Sequence, residues 1–94
     1  MVFFLASKIS DAGLMLLAIF KELQEKEPDF EKGLHNEVGV AIDDVEPALI
    51  ELEMQGFING LTWIKSDIEQ KENASLFNIS ITPTGLARVI ELLR

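Results

Sequence analysis

The apolar residues of the chain follow a helical period in its first half and change period after Gly56. Leu16, Ile19, Phe20 and Leu23 recur at the i, i+3, i+4, i+7 spacing, which predicts a helix over 10–27, with a cap at Ser10 or Asp11 and a stop at Pro28. Leu14 and Leu17 fall off that stripe, so the first two turns are apolar nearly all round. A helix of that kind is covered on more than one side, by another element or by a second subunit. The polar "PDFEKGLHNE" (28–37) reads as a loop leading into a short helix over 35–40. "VAIDD" then makes a turn, and Asp43 or Asp44 is placed to cap a longer helix over 43–55, with Pro47 in its first turn and Gly56 at its C′ position.

Beyond Gly56, "FINGLTWIK" (57–65) and "LFNISIT" (76–82) are rich in aromatic and β-branched residues, and the polar "SDIEQKENAS" separates them. The segment 57–82 therefore reads as a β-hairpin with a long tip. Thr82 followed by Pro83 marks the start of a last helix over 83–94, whose stripe is Leu86, Val89, Ile90 and Leu93. No repeat, linker or low-complexity tract interrupts the chain, and its 94 residues suit one α+β domain with a single core.

The order helix, short helix, longer helix, two-stranded hairpin, helix resembles that of a winged-helix domain. "LEMQGFING" resembles the junction between recognition helix and wing in such domains, and "ITPTG" their junction between the last strand and the last helix. Across "EVGVAIDDVEPALIELEMQGFI" the chain looks most like the YjcQ-like small proteins of bacilli and their phages. The resemblance covers about residues 10–94, and rests on junction glycines and apolar spacings that several winged-helix families share. It implies a three-helix helix-turn-helix core, a two-stranded hairpin wing and a C-terminal helix, with the chain ending at Arg94 short of a further helix expected of that family. It also implies DNA binding as a dimer, the helix over 43–55 entering the major groove and basic residues reaching phosphates.

Charge changes that picture. The formal net charge is −8, and residues 43–56 carry five acids and no Lys or Arg. At about 100° per residue, Val45, Ala48, Leu49 and Leu52 make the buried face of this helix. The outward face carries Asp43, Pro47, Ile50 and Met54, with Asp44, Glu46, Glu51 and Glu53 flanking it. A DNA-reading helix turns Arg, Lys, Asn, Gln or Ser outward. Affinity for duplex DNA comes largely from cations that neutralise phosphates, whereas here each close carboxylate–phosphate pair repels by about 1 kcal/mol in water-like dielectric. The wing offers Lys65 and Lys71 against Asp67, Glu69 and Glu72, which does not reverse the sign.

Three readings of Ile50 and Met54 stand at this point: ordinary exposed apolar residues, residues covered elsewhere by the chain, or an interface whose acidic rim selects or orients a basic partner. Phe3 and Phe4, with Val2 and Leu5, form an apolar cluster that either packs on the domain's own helices or joins Leu14 and Leu17 in a homodimer contact.

Catalytic chemistry finds no support. The chain has no cysteine, which removes disulfides, thiolate metal sites and a Cys nucleophile and fits an intracellular protein. His35 is the only histidine, and a metal or catalytic role needs converging partners. Asp43, Asp44 and Glu46 lack the spacing of a calcium loop and suit a helix N-terminus instead. No phosphate-binding glycine loop or nucleophile motif is present, and Trp63 reads as a half-core or stacking residue. The apolar start lacks a basic leader and is broken by "SKISD", and no run reaches the roughly 20 residues that cross a bilayer.

The sequence thus predicts a cytoplasmic, non-enzymatic winged-helix module without cofactor or metal, dimeric, and suited to protein contact through Asp43, Pro47, Ile50, Met54, Glu46, Glu51 and Glu53. The alternative is a DNA-binding regulator that uses another basic surface, drawn from Lys8, Lys21, Lys26 and Lys32 or from Lys65, Lys71, Arg88 and Arg94.

Overall fold

The computed structural model describes residues 9–30, 33–65 and 72–94. They form an α+β arrangement of three helices, an antiparallel hairpin and a C-terminal helix. Helix α1 spans Asp11–Leu23, α2 Leu34–Val38 and α3 Ile42–Met54. Strands β1 (Ile58–Asn59), β2 (Thr62–Lys65), β3 (Glu72–Ser75) and β4 (Ser80–Ile81) follow, then helix α4 (Pro83–Leu93).

Helix α1 is the centre of the core. Met15, Leu16 and Ile19 are fully buried, and the helix packs against α2, α3 and α4, so its nearly all-round apolar turns meet neighbours within the domain. Leu14 and Leu17 are half-buried and packed against the same cluster. Ser10 caps the helix, its Oγ accepting from the Gly13 N–H at 3.2 Å. The helix ends at Leu23, four residues short of the Glu27 expected from sequence. Residues 24–27, "QEKE", are all exposed and have no apolar surface to bury, so nothing repays ordering another turn. Buried Glu22 meanwhile turns its carboxylate onto the backbone N–H of Asp29 at 2.8 Å and fixes the loop beyond.

Two glycines in the left-handed region bound α2. Gly33 (φ 83°) precedes it, and Gly39 (φ 76°) ends it at Val38, two residues before the expected Val40, which is buried instead. Helix α3 likewise begins one residue early, with Ala41 rather than Asp43 or Asp44 at the cap. Pro47 therefore lies in the second turn instead of the first, where it has no N–H to offer the Asp43 carbonyl. The end of α3 follows the sequence reading: Gly56 at φ 76° donates to the Glu53 carbonyl at 3.0 Å and Phe57 to that of Leu52 at 2.9 Å, a Schellman closure. Ala48, Leu49 and Leu52 are buried and Val45 half-buried, as the angular reading requires.

The hairpin differs from expectation in its second arm. Residues 72–75, assigned to the tip from sequence, pair with β2 in the register Thr62–Ser75, Trp63–Ala74, Ile64–Asn73 and Lys65–Glu72. At the base, Ile58 pairs with Ile81 and Asn59 with Ser80. Between these ladders Gly60 and Leu61 face the four residues Leu76–Ile79, so the returning strand carries two residues in excess. The surplus forms a turn at Phe77 and Asn78, closed by the Ile79 N–H on the Leu76 carbonyl at 3.1 Å. Gly60 (φ 88°) permits it, since a Cβ there would stand 2.0 Å from the Asn78 carbonyl oxygen.

Helix α4 buries Gly85 and Val89 against the core, but Leu86, Ile90 and Leu93 of its expected stripe point to solvent and half-buried Leu92 packs inward in their place. Among the described residues no helix is long and apolar enough to cross a membrane.

Candidate interaction groove

A concavity lies against the first half of α3. Its floor is the first half of α3, with Val45 and Leu49 beneath and Ile42, Asp43 and Pro47 above. One wall is the loop Pro28–Phe30 and the other is the outer part of the hairpin, with Ile64, Leu76 and Phe77. The volume is about 880 Å³, within the range of sites that bury a ligand.

Local interactions position each wall. On the loop side, the Glu22–Asp29 hydrogen bond described above holds the chain close to α1. On the hairpin side, the outer edge of β3 donates its Ala74 N–H to Glu46 Oε2 of α3 at 3.1 Å, which ties the strand to the helix and satisfies an edge donor. The two-residue surplus then turns Phe77 outward, and the Phe77 N–H donates to Ser75 Oγ at 3.3 Å. Phe77 is 85% exposed at the rim, Ile64 60% and Ile42 67%. These three large apolar side chains thus stand in solvent around one groove.

The ionisable groups lining the groove are Asp29, Asp43 and Glu46, and no Lys or Arg lines it among the described residues. Further along α3 the outward face holds Ile50 at 40% and Met54 at 82% exposure, with Glu51 and Glu53 exposed beside them. The groove and this strip share Pro47 and continue one another along the helix. Glu46 departs from the expected acidic rim: it is half-buried, with its carboxylate engaged by the Ala74 N–H.

Four of the eight Lys and Arg side chains are described, and two of them stand in exposed ion pairs. Arg88 Nη1 lies 3.4 Å from Glu91 Oε1 and Lys21 Nζ 3.5 Å from Glu37 Oε2, both exposed pairs. Arg94 is exposed at the end of α4, and Lys26 is exposed in the turn after α1. Lys8, Lys32, Lys71 and the Lys65 side chain lie outside the described residues, as do Phe3 and Phe4 of the expected dimer cluster. His35 sits half-buried in α2. Among the described residues no three His, Asp or Glu side chains are placed to hold a metal ion.

No protein-family model, curated protein or solved structure matches the chain.

The groove itself was only half visible in the sequence. Angular reading of α3 exposes Asp43, Pro47, Ile50 and Met54, but Ile42 falls before the expected helix start. Ile64 comes to the groove by pairing with Asn73, within a segment read as the tip, and Phe77 by the turn that the surplus makes. The one available signal was Phe77-Asn78, a large aromatic followed by a turn-forming residue within an otherwise β-rich run.

Proposed function

We propose that this chain is a winged-helix regulatory module that acts by holding a protein partner on the outward face of α3, without catalysis. The observation that carries the reading is the surface of that helix. Pro47, Ile50 and Met54 are exposed, as are Asp43, Asp44, Glu51 and Glu53, and α3 contains no base to meet a phosphate. Apolar side chains ringed by charge suit a protein interface, where the rim sets orientation and encounter rate. The winged-helix reading draws support from the element order and from the Gly56 and Thr82 junctions; on it, the acidic helix occupies the position that DNA-binding relatives of the fold use for the major groove. A homodimer belongs to the proposal, with sedimentation as its measure.

Two measurements test it together. Photo-reactive residues placed at Ile50 and Met54 in cells of origin are expected to cross-link to protein, and Ile50→Asp with Met54→Asp to abolish an association seen with the wild-type chain while leaving the fold intact. Salt-dependent binding to duplex DNA at about 50 mM salt, unaffected by that double variant, would overturn the proposal in favour of a DNA-binding regulator using another surface.

A further inference from the structure

The groove between α3 and the hairpin has its own chemistry, separable from the Ile50–Met54 strip. Its exposed apolar surface is contributed by Ile42, Pro47, Ile64 and Phe77, and among the described residues its lining charges are carboxylates. An apolar concavity of this size gains from a large aliphatic or aromatic side chain set into it. The carboxylates that line it disfavour any anionic occupant, and exposed Asp43 on the floor rewards a cation placed beside that anchor. A nucleic acid is disfavoured by the same charges. A second copy of this chain, at net charge −8, meets them with like charge.

We infer that this groove docks a basic amphipathic segment of a partner protein: one or two large apolar side chains enter between Pro47, Ile64 and Phe77 while a flanking Lys or Arg pairs with Asp43. The inference rests on the proposal that α3 presents a protein-binding face, and it names the class of partner. It also assigns a task to the strand surplus, which brings Phe77 to the rim, and to Glu46, which fixes β3 rather than the ligand.

The probes are a synthetic amphipathic Leu/Lys peptide and a Leu/Glu peptide of the same length and spacing, titrated into isotopically labelled protein. The Leu/Lys peptide is expected to shift the amides of Ile64, Leu76 and Phe77 saturably, with an affinity that falls as salt rises. Ile64→Asp with Phe77→Asp should abolish those shifts, and Asp43→Lys should weaken binding at least about tenfold. All three positions are exposed, so the variants are expected to keep the dispersed spectrum of the parent. Ile50→Asp with Met54→Asp should leave the groove titration unchanged. The α3-face reading and the groove inference therefore fail separately: the first with the strip variant, the second with the groove variant. The inference is overturned if the Leu/Glu peptide binds equally well, if the Leu/Lys shifts scatter over acidic residues without the groove amides, if duplex DNA shifts those amides, or if they move with protein concentration alone, which would mark a second copy as the occupant.

Discussion

The Thr82 hydroxyl donates to the Gly56 carbonyl at 2.6 Å, so a side chain at the start of α4 holds the residue that closes α3. The same oxygen accepts from the Gly85 N–H at 2.9 Å and caps α4, while the Thr82 N–H donates to the Phe57 carbonyl at 3.0 Å. One threonine thereby links the end of α3, the base of the hairpin and the first turn of the last helix. Thr82→Val removes both hydroxyl bonds at nearly constant shape and is expected to cost about 1–2 kcal/mol, measured by urea unfolding. Thr82→Ser should recover most of the loss, whereas a stable Thr82→Val beside a destabilised Thr82→Ser would show that the methyl rather than the hydroxyl matters.

Two helical glycines separate in their tolerance. A Cβ on Gly85 would stand 2.0 Å from the Phe57 carbonyl oxygen, a backbone atom fixed by the Thr82 N–H, so Gly85→Ala is expected to cost at least about 2 kcal/mol. At Gly13 the nearest obstacle is the Ile9 Cγ2 at 2.7 Å, a side-chain atom that can rotate away. Gly13→Ala is therefore expected to be much milder, because the gain in helix propensity offsets the adjustment. Thermal unfolding of the pair checks the contrast.

Removal of the Glu46 carboxylate should loosen the hairpin before it weakens the core. Glu46→Ala strands the Ala74 N–H, and its amide is expected to exchange faster than in the parent, with a global loss of about 1 kcal/mol. Glu46→Gln keeps an acceptor oxygen and should protect Ala74 nearly as well. Unchanged exchange in Glu46→Ala would mean that water serves the edge donor equally.

The buried Glu22 is expected to matter more than its charge alone suggests. Its carboxylate accepts from Asp29, and Glu22→Ala should destabilise by about 1–3 kcal/mol through an unsatisfied N–H and a cavity beside α1. Backbone shifts in the loop 28–30 would report the displaced groove wall, and retention of those shifts would show that the loop holds its place without Glu22.

Much of the architecture was legible in the chain because it rests on local rules. The period of Leu16 and Ile19, the Gly56 closure, the Thr82-Pro83 start and the buried face of α3 each depend on residues a few positions apart. The misreadings share a different cause. Pro28 is the nearest helix stop and points to an α1 that runs to Glu27, yet exposed "QEKE" has no apolar surface to bury and the helix ends at Leu23. The second strand was expected to begin at Leu76 because "ENAS" has low strand propensity, yet pairing with Thr62–Lys65 and the Glu46 bond to Ala74 override it. Leu86, Ile90 and Leu93 share a period that marks an amphipathic face without saying whether the domain covers it. The outward strip of α3 was readable by angle, whereas the groove needed the hairpin's bulge, which no periodicity encodes.

The surplus in the returning strand is an even number of residues. Side chains alternate sides along a strand, so an insertion of two leaves Trp63 and Ile64 on the faces they would have occupied in an uninterrupted ladder, whereas an insertion of one would exchange them. The lip at Phe77 and Asn78 can therefore be lengthened or erased in steps of two without rewriting the strands on either side. The hairpin side of the groove is in this sense a replaceable cassette, set on helices that its exchange leaves untouched.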